Sequence, residues 1–218
     1  MPTIPDNVIT AAINSQRKWS VFASVSLAQW MLESAWGRAE PPDSNNPFGI
    51  KAFGNQPFVT AFTHETLNGR YVRIPQNFAK YQSLDDAFEA HARLLATSGY
   101  YVKAQHDNNP KQFANDLTGI YATGNPGEPP YGQLLINEMD EYDLYQYDLT
   151  ARQAINSMPD DLTSVKGVQM ALAKLGIAPG LAVDGILGNQ TIEAIKLFQQ
   201  KENISVDGIV GHETIDAL

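Results

Sequence analysis

Two stretches near the end of the chain repeat one another. VDGILGNQTIEAI begins at Val183 and VDGIVGHETIDAL at Val206, an offset of 23 residues. Each copy reads as an Asp-Gly turn, a glycine and a helix started by threonine. A helix that short cannot bury an apolar face alone, so the copies must stack on each other and on the helix expected at SVKGVQMALAKLG. The last part of the chain is thereby confined to a small helical unit of about fifty-five residues, near the lower limit for independent folding. The rest must build its own core. The expected division is a body over 1–147, a connector over 148–162 with Pro159 near its end and room for a short helix of its own, and a three-helix unit over 163–218.

At 43% apolar residues the chain is too hydrophobic to be disordered. Cysteine is absent, which excludes disulfides and thiolate zinc sites. The net charge is −9 with no Lys/Arg cluster, so nucleic acid is not an expected partner. An anionic polymer could bind through shape and hydrogen bonds. RKWSVFASVSLAQ imitates a secretion signal, but about sixteen residues precede Arg17 and the apolar pattern continues past Gln29, so a helix is the better reading. No run approaches the ~20 apolar residues of a membrane span.

The body reads as helices around one hairpin. Val21, Val25, Ala28, Leu32 and Ala35 share one face of a helix, with Gly37 as its stop. EPPDSNNPFG is a loop. FVTAFTHETLNGRYVRIPQNFAKY is β-branched and aromatic around Asn68-Gly69, the favoured type I′ turn, and predicts a hairpin. Ser83 caps a helix with Asp86 three residues on, and Ala87, Phe88, His91, Leu94 and Leu95 form its apolar face. NPKQFANDLTGI is another helix, YATGNPGEPPYG a long loop, and YGQLLINEMDEYDLYQYD a last helix with an acidic, tyrosine-rich end.

Chemistry concentrates at LAQWMLESAWGRA. Helical spacing sets Gln29, Trp30, Trp36 and Gly37 beside Glu33. A carboxyl between two indoles is poorly solvated, its pKa rises, and at neutral pH it can hand a proton to a leaving oxygen, as in glycoside hydrolysis. Spacing alone favours the plainer alternative, an exposed helix glutamate whose aromatic neighbours turn to the core, since structural ion-pair groups also look perturbed. Glycoside hydrolysis usually needs a second carboxylate; Glu65 on the hairpin is the candidate, although a charge on a ribbon's solvent face is ordinary. Asp85, Asp86 and Glu89 sit early on a helix, where the dipole accounts for them. Metal chemistry finds no support: His64-Glu65 and His212-Glu213 begin like HExxH, but Asn68 and Asp216 stand at the second histidine position. His91 reads as a core histidine with a hydrogen bond. There is no G-x-S-x-G and no Gly-rich phosphate loop.

LAQWMLESAWGRA, NNPFGIKAF, HETLNG before FAKYQSLDDAFEAHARLL, and IYATGNPGEPPYGQLL, in that order over residues 9 to about 140, resemble the family 73 glycoside hydrolases. These are bacterial and phage N-acetylglucosaminidases of lysozyme-like fold. The resemblance implies a mainly α, lysozyme-like α+β domain with a small β-hairpin. It implies Glu33 as general acid, Glu65 as the hairpin base and Tyr121 as a tyrosine placed near the acid. It also implies Phe48 and Gly49 in a loop lining the sugar groove, with Trp36 and Tyr131 as further substrate-binding residues. GNPGEPP replaces a shorter acidic stretch of the family at the groove rim. The tail resembles the three-helix peptidoglycan-binding domain type 1, whose hallmark turns match Asp184-Gly185 and Asp207-Gly208. The activity so implied is hydrolysis of the GlcNAc-β1,4-MurNAc bond of peptidoglycan. The alternatives are a lytic transglycosylase or muramidase of the same fold, or a non-catalytic wall-binding phage protein. No cofactor or metal is expected. The expected partner is murein, bound by a monomer that inserts into no membrane. A modular phage endolysin or autolysin reaching the wall by phage lysis or a dedicated export route fits these expectations.

Overall fold

The computed structural model describes residues 3–67, 70–124, 127–156, 162 and 164–218, and leaves out the side chains of 64–67, 70, 71, 152–156 and 212. The order is α1 (Asp6–Trp19), α2 (Ala23–Glu33), the strands β1 (Phe58–Leu67) and β2 (Arg70–Ala79), then α3 (Leu84–Thr97), α4 (Val102–Gln105), α5 (Pro110–Asp116), α6 (Tyr131–Glu141) and α7 (Tyr145–Asn156). The tail adds α8 (Val165–Lys174), α9 (Asn189–Lys201) and α10 (His212–Ala217).

The shaft of the body is α2. Every residue from Ala23 to Met31 is buried, so the helix is enclosed on all sides and not merely on the face its periodicity suggested. Small residues at Ala23, Ser24, Ser26 and Ala28 let α1, α5, α6 and α7 close around it. Leu27 and Met31 are at most 2% exposed and contribute roughly 1.5–3 kcal/mol each by leaving water. Its first N–H groups have no cap of their own. Gln16 Oε1 accepts from the Ala23 amide at 2.6 Å, and Asp148 accepts from the amide and hydroxyl of Ser24 at 2.9 and 2.7 Å. Distant side chains thus satisfy donors that a helix start leaves open.

Asp148 belongs to α7, so the short helix that the stretch 148–162 had room for begins inside the body, at Tyr145. The first part of that stretch is helical, and Asp148 and Ala151 are buried against the body because α2 needs the carboxylate. The single helix expected over 131–148 is likewise two, broken where Asp143 takes a left-handed φ of 49°.

The hairpin forms as expected, β1 pairing antiparallel with β2 from Phe58↔Ala79 to Leu67↔Arg70; the Asn68-Gly69 turn itself lies outside the described residues. Its base is pinned by Asn46, wholly buried, whose Nδ2 donates to the carbonyls of Ile50 and Ala79 at 2.8 and 2.9 Å while Oδ1 accepts from the Ile50 amide. Ser83 caps α3 through the Asp86 amide at 3.1 Å, and Asn109 caps α5.

In the tail the repeat is held by two glutamines that periodicity did not single out. Gln169 Nε2 donates to Asp184 Oδ1, the Ile186 carbonyl and Thr191 Oγ1, and its Oε1 accepts from the Gly185 amide. Gln199 repeats this with Asp207, Ile209, Thr214 and Gly208. Each buried glutamine locks one Asp-Gly turn onto the start of the next helix. The tail's own core is small: Val168, Leu172, Leu181, Ala194, Ile195 and Phe198.

The tail is docked on the body. Ala182 joins the body's core cluster, Ser20 Oγ donates to the Leu181 carbonyl at 3.0 Å, the Val183 amide donates to the Lys18 carbonyl, and Gln190 Nε2 donates to the Ala96 carbonyl at 2.8 Å. The contact lies near the start of α2. Eleven residues of helix at 1.5 Å rise put Glu33 about 15 Å away along the shaft.

Candidate active site

Glu33 is the last residue of α2. Beyond it the helix does not run on to Gly37. Ser34 Oγ donates to the Trp30 carbonyl at 2.5 Å and accepts from the Gly37 amide at 2.7 Å, and Ala35, Trp36 and Gly37 all take positive φ. A Cβ at Gly37 would meet the Trp30 ring at 3.1 Å, so this reversal needs glycine.

The reversal changes what surrounds the acid. Trp36 is not one helical turn from Glu33. It is half-buried and edge-on to Trp30 at 6.0 Å and to Tyr142 at 4.8 Å, and it serves as packing. Trp30 is 3% exposed and belongs to the core, one helical turn before Glu33, while Trp36 packs against that core from outside. The expectation that Trp36 stands one turn beyond the acid is corrected.

The partner is Tyr131, from the first turn of α6. Its hydroxyl donates to Glu33 Oε1 at 2.6 Å and accepts from Gln29 Nε2 at 3.2 Å. Tyr131 is 4% exposed, too enclosed for the substrate-binding place expected of it. Its ring stacks on Tyr121 at 5.5 Å and 14°. Tyr121 in turn meets His91 edge-on at 5.9 Å, and His91 lies flat on Phe48 at 3.9 Å. Phe48, expected in the loop lining the groove, is 4% exposed, its ring face covered by His91 and its edge by Phe88. Gly49 beside it is exposed, at φ 59°, with no atom near its missing Cβ.

Water reaches Glu33, yet protein atoms crowd its carboxyl from most sides, as at the floor of a cleft. That desolvation raises its pKa, and the Tyr131 hydrogen bond partly opposes the rise. The negative end of the α2 dipole acts in the same direction as desolvation. Burial, helped by Tyr121 and Glu33, drives the Tyr131 hydroxyl far above the ordinary phenol range, so it is a permanent donor. Tyr121 is raised as well, first by burial and then by the charge of Glu33. His91 is fully buried; its ring nitrogens have no hydrogen-bond partner among the described residues, against the hydrogen bond expected, and desolvation pushes its pKa down to about 3.

Glu65 lies in β1 opposite Val72, and its side chain is outside the described residues. Among the described residues no three metal-ligating side chains converge. A cavity of about 540 Å³ lies at the seam of body and tail, lined by Gln16, Asp107 and Lys174 among others, and does not include Glu33. Sequence reasoning set Gln29 beside Glu33 but missed its bond to Tyr131, the role of Tyr131 itself and the seating of Asn46. Only the polar Gln29 inside an apolar helix carried a local signal.

Comparison with known proteins gives this geometry a context. Residues 9–144 match the family model described as mannosyl-glycoprotein endo-beta-N-acetylglucosaminidase, and residues 162–218 that of a putative peptidoglycan binding domain. The chain is 34% identical over 138 residues to an autolysin of Enterococcus faecalis, covering 59% of this chain and 18% of that protein. It is 32% identical over 138 residues to the exo-glucosaminidase LytG of Bacillus subtilis, covering 60% and 48%. It thus spans less than half the length of these curated relatives. The catalytic domain of the autolysin Auto from Listeria monocytogenes shares the fold with a TM-score of 0.57 at 32% identity, covering 68% of this chain and 89% of that one. With the family match spanning residues 9–144, more than half its length, the chain belongs to this glucosaminidase family.

Proposed function

We propose that the protein hydrolyses the glycan strand of peptidoglycan at the GlcNAc-β1,4-MurNAc bond, as an endo-β-N-acetylglucosaminidase. The observation that carries this reading is the seating of Glu33. It is a solvent-reachable carboxyl with a raised pKa, hydrogen-bonded by a phenol that stays neutral. Protonated Glu33 gives its proton to the glycosidic oxygen as the C1–O bond breaks and positive charge develops on the sugar. Glu33 then becomes a carboxylate, and the Tyr131 hydroxyl at 2.6 Å stabilises that charge. This interaction is stronger in the transition state than before it, which is what accelerates a reaction. Tyr121 and His91 hold the Tyr131 ring in place. Glu65 takes the proton of the attacking water, from a two-stranded hairpin that needs the substrate to settle it.

The tail, from residue 164 onward, is the wall-binding module, and the catalytic unit extends through α7. The family match of residues 162–218 supports this assignment. The protein acts as a monomer on the bacterial wall, outside the cytoplasm, after phage lysis or dedicated export. None of the described helices is long and apolar enough to cross a membrane. The family description and the name exo-glucosaminidase support the glucosaminidase bond, while three further relatives at 32–34% identity carry the name probable N-acetylmuramidase; all of these names support a wall-degrading glycosidase.

Borohydride reduction of a murein digest followed by mass spectrometry tests the bond. Reduced glucosamine ends are expected. Reduced muramic acid ends would make the protein a muramidase, and 1,6-anhydro-muropeptides a lytic transglycosylase. No new ends would leave only wall binding.

A further inference from the structure

The hairpin carries a charge and an exposed surface that the chemistry above does not use. Residues 51–80 hold four bases, Lys51, Arg70, Arg73 and Lys80, against one acid, Glu65, a net +3 in a chain of −9. Register puts Phe58, Thr60 and Phe62 of β1 on one face with Pro75 and Asn77 of β2, and Arg73 follows by alternation. Phe58 and Phe62 are 52% and 60% exposed, and Phe53 in the preceding loop 88%. The Arg73 guanidinium lies over the Phe62 ring at 4.1 Å. Thr60 Oγ1 donates to Asn77 Oδ1 at 2.8 Å across the same face. Lys80, at the foot of β2, is exposed.

Phenylalanines that leave half or more of their surface in water gain little from folding, and such exposed apolar patches mark contact surfaces. A guanidinium stacked on a ring keeps its N–H edge turned outward, in the fork that matches a carboxylate. The partner that fits is one carrying carboxylates next to apolar groups, met by a positive flap on an otherwise negative molecule. Murein offers this chemistry in its stem peptides, whose free carboxylates alternate with alanine methyls.

We propose that the exposed aromatic face of the hairpin, with Arg73 on it and Lys80 just past its foot, docks the carboxylate-bearing stem peptides of murein. The proposal rests on the reading that peptidoglycan is the substrate. It makes the hairpin a reader of the peptide as well as the carrier of Glu65, and it favours murein whose carboxylates are unblocked.

The test uses the full-length protein and murein freed of its phosphate polymers, either native or with its carboxylates converted to amides. Wild-type protein should bind native murein about three- to tenfold more tightly than amidated murein, as two exposed ion pairs allow. The preference should vanish above about 0.5 M salt, where screening is nearly complete. The double variant Arg73→Gln/Lys80→Gln should bind native murein as weakly as wild type binds the amidated form, with its rate at saturating murein unchanged. Equal binding of wild type to both mureins would overturn the proposal, as would a preference that the double variant retains. A preference seen only for walls that keep their phosphate polymer would also overturn it, assigning the face to that polyanion. Release of new reducing ends is followed in the same samples. Cleavage of both mureins without a binding preference defeats this proposal and leaves the hydrolase reading standing. A carboxylate-dependent preference without cleavage does the reverse.

Discussion

His91 should make the body of the protein acid-labile, and His91→Phe should remove that lability. The ring is fully buried, flat against Phe48 and edge-on to Tyr121, and desolvation lowers its pKa from 6.5 to about 3. The unfolded chain therefore binds a proton between these two values that the folded chain refuses. Stability contributed by the neutral ring is complete above 6.5 and is lost progressively as the pH falls toward about 3. At 1.36 kcal/mol per pH unit the loss is about 0.8 kcal/mol at about pH 6, about 2 kcal/mol at about pH 5, and at most about 5 kcal/mol below the folded pKa. Phenylalanine keeps the stack and carries no proton. It is slightly larger, so His91→Phe shifts the absolute stability by about 1–3 kcal/mol from overpacking, equally at every pH. The assay is urea unfolding followed by tryptophan emission, which reports on the body because Trp19, Trp30 and Trp36 all lie there. Between about pH 8 and about pH 5 the wild type should lose about 2 kcal/mol more than the variant. Other titrating groups are common to both proteins and cancel in the difference. Parallel stability curves would refute the reasoning.

Tyr131→Phe keeps the stack on Tyr121 and removes the donor at 2.6 Å from Glu33. Because that hydrogen bond lowers the Glu33 pKa, the basic limb of the pH–rate profile should move to higher pH while the maximal rate falls about tenfold. An unmoved limb would detach Tyr131 from the acid. A protein ending at Asn156 should lose the seam made by Ser20, Lys18 and Ala96 with the tail, and its thermal midpoint should drop by roughly 2–6 °C, for about 1–2 kcal/mol. It should also sediment less with insoluble murein. An unchanged midpoint in calorimetry would mean that the docking stabilises nothing.

What the sequence disclosed followed from local rules. The hairpin came from β-branched alternation around Asn-Gly, and the cap at Ser83 from a side chain that satisfies its own helix. The repeat was legible as turns, but its locks were not. The turns recur after 23 residues, whereas Gln169 and Gln199 are 30 apart, so a fixed period passes over them. Trp36 was misplaced because Ser34 ends the helix by hydrogen bonds that periodicity does not encode. The stretch holding most of α7 was read as a connector with room for a short helix, and not as part of the body, because its burial depends on Asp148 reaching α2 across 124 residues. The candidate site shows the same division. Glu33 stood out by motif, while its partner Tyr131, 98 residues away, became visible only when α2 and α6 were seen to pack.

The central claim is that Glu33 holds the proton that breaks the glycosidic bond. Glu33→Gln keeps the size of the side chain and its hydrogen bond to Tyr131, but it has no acidic proton. Turnover of purified murein by this variant, with its fold verified by circular dichroism and an unchanged thermal midpoint, is the most direct measurement. The rate should fall by at least ~10², the low end for general acid catalysis, while sedimentation with murein stays at the wild-type level. A folded Glu33→Gln protein that clears murein at the wild-type rate would contradict the account.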